Sequence, residues 1–232
     1  MNKPLISTVL LLQLGFAALA KESLKQIVDL KGSWRFSIGN MPECAAENYY
    51  DNDWDNIMVP GTWEQQGYAD YIGYAWYRTK FMISDKYAAV RLYMCLGLID
   101  DVDEVYLNGK MLNGRGQFPP AYISAYNAFR KYFIPPEMIN ANGLNQIAIK
   151  VYDGYLSGGI LGEEIGIYAS AYSELLEINL EGQWDFSTIN MPSPYDINKN
   201  ADKWEQLMVP LSWENQGHEQ YNGYAWYRKA FL

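Results

Sequence analysis

The chain contains a single histidine, two cysteines and few basic residues. One histidine excludes zinc sites built from several histidines and leaves His218 as the only possible base of a Ser-His-Asp triad. Eighteen lysines and arginines face 27 acidic residues, and the formal net charge of −9 argues against nucleic acid or an anionic membrane as partner. The composition therefore predicts a neutral or small partner. Cys44 and Cys95 are too few for a disulfide framework in 232 residues, and a single pair and two separate thiols remain open.

Charge is also scarce at the N-terminus, where Lys3 is the only charged residue of the first twenty. A short cationic start, an apolar stretch and the small residues of Ala18-Leu19-Ala20 predict a signal peptide over residues 1–20. A transmembrane anchor is the weaker alternative, because polar residues interrupt a stretch shorter than the roughly 20 residues a span needs. We expect a secreted or periplasmic protein with no membrane span in the mature chain.

Aromatic residues are abundant, at 16% of the chain with 20 tyrosines and 8 tryptophans. Apolar residues alternate with others at Tyr74–Phe81 and Ile147–Val151, and Ala89–Leu96 is a mixed apolar run. Asp103–Leu107 leads into Asn108-Gly109, a strong signal for a two-residue hairpin turn. No long helical period competes. These patterns predict an all-β protein, a jelly-roll β-sandwich.

An internal repeat with an offset of 150 residues organises the chain. Residues 30–81 and 180–231 are identical at 25 of 52 positions, including Gly73-Tyr-Ala-Trp-Tyr-Arg78, which returns at 223–228. A period this long indicates whole domains, not the short units of solenoids. We predict one complete domain over 21–175 and the N-terminal part of a second, truncated copy over 176–232. The second copy lacks counterparts of the later strands, so we expect that it does not fold independently, although packing on the first copy is an alternative.

A series of motifs recurs in a characteristic order along the first copy. The series comprises Gly32-x-Trp34-x-Phe36, Asp53-Trp54, Val59-Pro60-Gly61-Thr62-Trp63-Glu64, Gly67-Tyr68, Gly73-Tyr-Ala-Trp-Tyr-Arg78, Val105-Tyr-Leu-Asn-Gly-Lys110 and Ile147-Ala-Ile-Lys-Val-Tyr-Asp153. In order and spacing it resembles the sugar-binding domain of glycoside hydrolase family 2. The resemblance implies a galactose-binding-like jelly roll, which in β-galactosidase and β-glucuronidase relatives precedes an immunoglobulin-like domain and a catalytic barrel.

The residues needed for glycoside hydrolysis are missing from the sequence. The Asn-Glu dipeptide that marks the acid/base of the family does not occur, and the adjacent pair Glu163-Glu164 would point in opposite directions on an extended chain. His218 is replaced by Tyr68 in the first copy. The favoured interpretation is a secreted, non-catalytic carbohydrate-binding module. The alternatives are a protein-interaction or sensory ectodomain and, lower, a fragment of an active β-galactosidase-like hydrolase.

A sugar binder needs aromatic planes and a few fixed polar groups on loops at one end of the sandwich. The candidates for such a site are Trp63, Glu64, Tyr68, Tyr71, Tyr74 and Asp153. Trp63 follows a Pro-Gly turn, which predicts a loop position where its ring could stack on a sugar. The resemblance implies that the segment at Thr62-Trp63 and Asp153 lie near the sugar subsite. A purely structural role for Trp63 and Asp153 remains an equal alternative.

Other aromatic and charged residues are expected to serve the fold. We predict that Trp34, Trp54, Trp76 and Phe36 belong to the core and that Arg78 makes an internal ion pair or stacks on a ring. No cofactor is predicted. The acidic groups Asp51/Asp53/Asp55 and Asp100/Asp101/Asp103 have a spacing that suits calcium, and the resemblance mildly supports a structural ion. A solvated turn is the favoured interpretation of both groups.

Overall fold

The computed structural model describes residues 24–170, 180, 182–188, 204–209 and 211–230. The predicted signal peptide, residues 1–20, lies outside the described residues, as do the junction at 171–179 and residues 189–203. In the described ranges no helix has the length and apolar character to cross a membrane. Eleven strands belong to the first copy: β1 (Leu24–Asp29), β2 (Gly32–Ile38), β3 (Asp55–Val59), β4 (Gly61–Thr62), β5 (Gly73–Met82), β6 (Leu92–Asp100), β7 (Val102–Leu107), β8 (Lys110–Arg115), β9 (Phe129–Ile134), β10 (Leu144–Asp153) and β11 (Gly159–Ser170).

These strands form two antiparallel sheets packed face to face. One sheet has the order β1-β11-β6-β9, with β4 paired to β11, and the other has the order β3-β2-β5-β10-β7-β8. The buried apolar side chains between them form one main core. Burial of these side chains is the main stabilising contribution to such a sandwich. The prediction of an all-β jelly-roll sandwich is confirmed.

The predicted strands and turn agree with the structure, except that the apolar run Ala89–Leu96 becomes a strand at Leu92–Asp100. Asn108 and Gly109 both have positive φ, at 52° and 76°, as a two-residue turn between β7 and β8 requires. The run predicted from Ala89 begins as a strand only at Leu92, because a short 3₁₀ turn over Asp85–Tyr87 carries the chain between the sheets. Apolar composition alone does not reveal where such a crossing ends.

Most residues assigned to the core lie there. Trp34, Phe36 and Trp76 are buried, whereas Trp54 is only half-buried, against the ring of Tyr49. Arg78 is buried as well, and its predicted internal ion pair is present.

The Arg78 guanidinium lies 2.7 Å from Asp51 and donates to the carbonyls of Cys44, Ala46 and Glu47. These bonds hold residues 42–54 over the outer face of β5. Cys44 and Cys95 are both buried, and no disulfide joins them.

The second copy contributes three described strands: β12 (Gly182–Ser187), β13 (Glu205–Val209) and β14 (Trp226–Arg228). Their order, β13-β12-β14, matches the order β3-β2-β5 of the first copy. Local contacts recur as well. The Gln66 side chain accepts from the backbone N–H of Met58 at 2.6 Å, and Gln216 accepts from Met208 at the same distance.

His218 occupies the place of Tyr68 in the second copy. Tyr68 packs on Phe36 with ring centroids 4.7 Å apart, and His218 packs on Phe186 at 4.8 Å. The Tyr68 hydroxyl donates to Asp55, and the His218 imidazole lies 2.8 Å from Glu205, the counterpart of that aspartate. The only histidine of the chain therefore takes part in a structural contact.

Strand β13 packs on the first copy beside β8. Met208 is 5% exposed and joins the main core, whereas its counterpart Met58 is 55% exposed. Packing on the first copy is the arrangement that the sequence left as an alternative to an isolated segment. This packing leaves a cleft between the two copies.

Candidate functional site

Three carboxyl groups meet at one end of the sandwich. Asp100 ends β6, Asp101 follows it directly, and Asp153 ends β10. The backbone N–H of Asp101 donates to the carbonyl of Tyr152 at 3.0 Å, which ties the two strand ends together. One carboxylate oxygen from each residue lies within 4.8 Å of the other two. We call Asp100, Asp101 and Asp153 the carboxyl cluster.

Asp101 is the member best stabilised as an anion. It accepts hydrogen bonds from the Ser124 hydroxyl, the Tyr122 hydroxyl at 2.5 Å and the backbone N–H of Gly154 at 3.0 Å. Burial acts to raise the pKa of Asp101, but these hydrogen bonds outweigh it and lower the pKa. Asp101 is therefore the carboxyl group of the cluster that most readily carries a negative charge.

Asp100 and Asp153 are less readily ionised. Burial, together with a hydrogen bond to Asp101, raises the pKa of Asp100 to about 7. Burial also raises the pKa of Asp153, although the backbone N–H of Tyr155 donates to its Oδ1 at 2.9 Å. The Oδ2 atom of Asp153 is buried and has no hydrogen-bond partner. The cluster therefore combines a carboxyl group whose pKa is raised to about 7 with a buried acceptor oxygen.

A buried ion pair holds the loop that covers the cluster. The Arg130 guanidinium lies 2.7 Å from Asp103, and both side chains are fully buried. Arg130 also donates to the carbonyls of Ala125 at 2.6 Å and Asp101 at 2.9 Å. The Tyr132 hydroxyl donates to the other oxygen of Asp103 at 2.6 Å. Together these bonds fix the loop that carries Tyr122 and Ser124.

Exposed side chains surround the cluster. The backbone of Tyr155 contacts Asp153, and its side chain is 73% exposed. Leu156 and Tyr126 are also exposed, and Tyr122 is partly so. A Cβ at Gly154 would lie 2.8 Å from the Tyr122 ring, so glycine permits this close approach without displacing the ring. Partly exposed aromatic side chains beside fixed polar groups are typical of sugar-binding sites.

Trp63 lies on a loop as predicted, but its ring does not face solvent and cannot stack on a sugar there. Its side chain is fully buried, and its indole N–H donates to the carbonyl of Tyr71 at 3.2 Å. Trp63 directly follows β4, and its backbone N–H donates to Gly158 on the way into β11, which directs the ring into the core. A Cβ at Gly158 would lie 1.9 Å from the indole, so the backbone there covers the ring. Trp63 therefore has a structural role in the core, which was the alternative to stacking on a sugar.

The structure brings only Glu64 and Asp153 of the predicted site residues near the carboxyl cluster. Glu64 accepts from the backbone N–H of Gly158 at 2.9 Å, its Oε2 is buried without a partner, and its charge contributes to the raised pKa of Asp153. Tyr68 and Tyr71 hold the loop between β4 and β5 in place.

The Tyr68 hydroxyl bonds to Asp55, and burial raises the pKa of Tyr68 to about 12. The Tyr71 hydroxyl donates to the carbonyl of Tyr74 at 2.7 Å. The Tyr74 ring stacks on Phe118, with centroids 5.8 Å apart. These three tyrosines therefore make structural contacts rather than one shared surface.

The acidic groups with calcium-like spacing are divided by the fold. Asp51 pairs with Arg78 and Asp103 with Arg130, so neither is free for an ion. Within the described ranges, the carboxyl cluster is the one group of three or more His, Cys, Asp and Glu side chains close enough to share a metal. Oxygens up to 4.8 Å apart could share a calcium ion bound at about 2.3–2.6 Å. Calcium, the less favoured interpretation of these acidic groups, would therefore have its ligands at Asp100, Asp101 and Asp153.

The carboxyl cluster does not have the geometry of a retaining glycosidase pair. Asp100 and Asp101 are joined by a hydrogen bond. Retaining enzymes hold their carboxyl groups about 5–5.5 Å apart with the scissile bond between them. The hydrogen-bonded pair of Asp100 and Asp101 therefore leaves no space for a sugar linkage between its own two carboxyl groups.

No protein-family model matches the chain, and no curated protein matches it. Solved β-glucuronidase structures do. A calcium-binding mutant of Bacteroides uniformis beta-glucuronidase 2 is 18% identical with a TM-score of 0.51, and the match covers 74% of this chain and 21% of that one. The Ruminococcus gnavus β-glucuronidase bound to an N1-substituted uronic isofagomine is 15% identical, also at 0.51, covering 72% and 31%.

A third structure is a β-glucuronidase from glycoside hydrolase family 2. It is 16% identical with a TM-score of 0.51, and the match covers 64% of this chain and 17% of that one. At these identities the likeness shows a shared fold. The chain spans less than a third of the length of these three enzymes.

Proposed function

We propose that the protein is a secreted carbohydrate-binding module, and that its carboxyl cluster binds the hydroxyl groups of a neutral sugar. The observation that carries the proposal is the unpartnered Oδ2 of Asp153 beside the partly exposed Asp100. A buried acceptor without a partner costs about 1–3 kcal/mol, so such a group calls for a donor from outside the chain. A sugar hydroxyl supplies that donor.

The two carboxyl groups have different accessibility. Asp100 is partly exposed and is contacted first, whereas Asp153 is fully buried. A hydroxyl therefore reaches Asp153 only when residues 154–157, of which 155–157 are exposed, move aside. Tyr122, whose hydroxyl bonds to Asp101, and Tyr155, whose backbone N–H bonds to Asp153, carry exposed rings that offer faces for the apolar side of a pyranose. The resemblance to family 2 sugar-binding domains supports the assignment, because it implies a sugar subsite at Asp153.

The charge of the site selects among sugars. The ionised carboxylate of Asp101 opposes the approach of a further carboxylate to this cluster. The names of the structural neighbours refer to glucuronides, whose sugar carries a carboxylate. We therefore propose a neutral pyranose at this end of the sandwich. In this role the module contributes binding to glycan degradation and performs no hydrolysis on its own.

Binding can be measured by isothermal titration of the full chain with methyl β-galactoside, methyl β-glucoside and methyl β-glucuronide. We expect one of the neutral glycosides to bind and the glucuronide to bind at least tenfold more weakly. Asp100→Ala should weaken binding at least tenfold, whereas the matched control Asp70→Ala, at an exposed position, should not change it. Absence of binding, or equal affinity of Asp100→Ala and Asp70→Ala, would refute the proposal.

Calcium at the carboxyl cluster is a second proposal, favoured by the same unpartnered oxygen. Calcium chloride should raise the melting temperature of the full chain, and the increase should be absent in Asp153→Asn. An equal increase in both proteins would reject this ion site. Sugar titrations with calcium and with a chelator then show whether the ion takes part in binding.

A protein-interaction ectodomain remains the second candidate function. The exposed apolar side chains of Ile123 and Leu156 near the cluster favour it. This candidate predicts that Leu156→Ser leaves glycoside affinity unchanged and abolishes capture of a protein partner. A protein that binds no glycoside but loses a partner through this substitution would support it.

A further inference from the structure

The segment that connects β10 to β11 is bonded at both ends and exposed in the middle. At one end the backbone N–H of Gly154 donates to Asp101 at 3.0 Å. At the other end the backbone N–H of Gly158 donates to the Oε1 atom of Glu64 at 2.9 Å. We call residues 154–158 the strap, and its three middle residues are exposed. Carboxylates from two other parts of the fold therefore hold its two ends.

Aromatic rings lie close to both ends of the strap. A Cβ at Gly154 would lie 2.8 Å from the Tyr122 ring. A Cβ at Gly158 would lie 1.9 Å from the Trp63 indole, and the carbonyl of Gly158 accepts from the backbone N–H of Trp63 at 3.0 Å. The ends of the strap are therefore fixed, and a movement that uncovers the carboxyl cluster takes place at residues 155–157.

The middle of the strap contains a residue in a backbone conformation that is unfavourable for it. Leu156 has a φ of 73°, in the left-handed region, and its side chain is 70% exposed, so burial does not compensate for this conformation. Asparagine adopts the left-handed region more readily than leucine or alanine. A substitution at Leu156 can therefore remove this local cost without disturbing the core.

Two carboxyl oxygens beside the strap have no hydrogen-bond partner. They are the Oδ2 atom of Asp153 and the Oε2 atom of Glu64, and both are buried. The other oxygen of Asp153, Oδ1, accepts from the backbone N–H of Tyr155 at 2.9 Å. Movement of residues 155–157 breaks this bond and opens Asp153 to donors from outside the chain. The closed strap therefore keeps buried acceptors unsatisfied, and its opening makes them available.

We propose that Glu64 is a positioning residue of the sugar site, which holds the end of the strap at Gly158 and thereby sets how often the strap opens over Asp153. This inference rests on the proposed function, because its ligand is the neutral sugar assigned to the carboxyl cluster. The sugar binds the open form, so its measured affinity is the affinity of that form reduced by the open fraction. A substitution that changes this fraction changes the opening of the strap and the sugar affinity by the same factor.

Native-state hydrogen exchange of the full chain, followed by NMR, measures the opening of the strap. Glu64→Ala should accelerate exchange of the Tyr155 amide at least tenfold and leave the amide of Ile149, within β10, unchanged. Glu64→Gln keeps an acceptor oxygen and should have a smaller effect. Glu214→Ala, at the counterpart of Glu64 in the second copy, is the matched control and should change neither amide. Equal exchange of Tyr155 in Glu64→Ala and Glu214→Ala, or parallel acceleration of Ile149, overturns the proposal.

A pair of substitutions at Leu156 tests the link between opening and binding without altering Glu64. Leu156→Asn and Leu156→Ala remove the same exposed side chain, but only asparagine is well suited to the left-handed conformation. Exchange of the Tyr155 amide should therefore be at least threefold slower in Leu156→Asn. Isothermal titration with methyl β-galactoside and methyl β-glucoside should show an affinity lower by the same factor. Slower exchange without weaker affinity, or equal exchange in the two variants, contradicts the proposal.

The role of Glu64 and the proposed function can fail separately. Absence of binding of methyl β-galactoside and methyl β-glucoside to the native chain refutes the proposed function. The exchange rates of Glu64→Ala and Glu214→Ala test control of the strap without any ligand, so they stand whatever the sugar result. Sugar binding by the native chain, together with equal exchange in these two variants, refutes the role of Glu64 alone.

Discussion

Replacing Trp63 by alanine separates a structural role from a sugar-stacking role. The ring is fully buried against Phe36, Tyr71 and Tyr77. About 200 Å² of apolar surface at about 25 cal/mol per Å² corresponds to about 5 kcal/mol, and residual compactness of the unfolded chain lowers this by about 10–40%. Loss of the indole hydrogen bond to Tyr71 adds about 1 kcal/mol. We expect a loss of about 3–5 kcal/mol in the free energy of unfolding.

Urea unfolding of the full chain, followed by circular dichroism, measures this loss. Trp213→Ala is the matched control, because Trp213 is the counterpart of Trp63 and is only half-buried. Its substitution should cost less than half as much. If Trp63→Ala unfolds at the same urea concentration as the native chain but loses affinity for a glycoside, the ring stacks on sugar and the structural assignment is refuted.

Three further predictions concern the scaffold and the thiols. Arg130→Met leaves Asp103 buried without its partner and should lower the free energy of unfolding by about 3–5 kcal/mol at neutral pH. Because protonation of Asp103 removes the buried charge, this loss should become smaller in urea titrations at lower pH. A loss that does not change with pH would contradict this. Gly158→Ala should destabilise the chain by about 1–3 kcal/mol in thermal unfolding, since the added methyl meets the Trp63 indole, and an unchanged melting temperature would argue against that packing. Without reductant, iodoacetamide should label neither Cys44 nor Cys95 in the native chain and both after unfolding, and a mass without label would reveal a disulfide.

The fold could be predicted from the sequence because its signals are local. Alternating apolar residues and the Asn108-Gly109 turn identified β5, β7 and β10. Trp34 and Trp76 fell in the core because large aromatic side chains in alternating strands are buried from one face or the other. The boundary of β6 was missed, since nothing in its composition distinguishes the crossing turn from the strand.

The candidate site could be predicted only in part, because it depends on contacts between distant segments. Asp153 and Glu64 were identified, and Asp100 and Asp101 were recognised only as part of an acidic run. Tyr122 was missed, since it reaches the cluster through a loop held by the buried pair of Arg130 and Asp103. Trp63 was misplaced because a Pro-Gly turn indicates a loop but not the direction of the following side chain.

The most direct test of the central claim is an NMR titration of the isotope-labelled full chain with methyl β-galactoside and methyl β-glucoside. We expect the backbone amides of Asp101, Gly154 and Tyr155 to shift saturably with one of them, because these amides lie on the strand ends that hold the carboxyl cluster. The amide of the exposed Tyr224 should not shift. Saturable shifts confined to other regions, or none with either neutral glycoside, would contradict sugar binding at the carboxyl cluster.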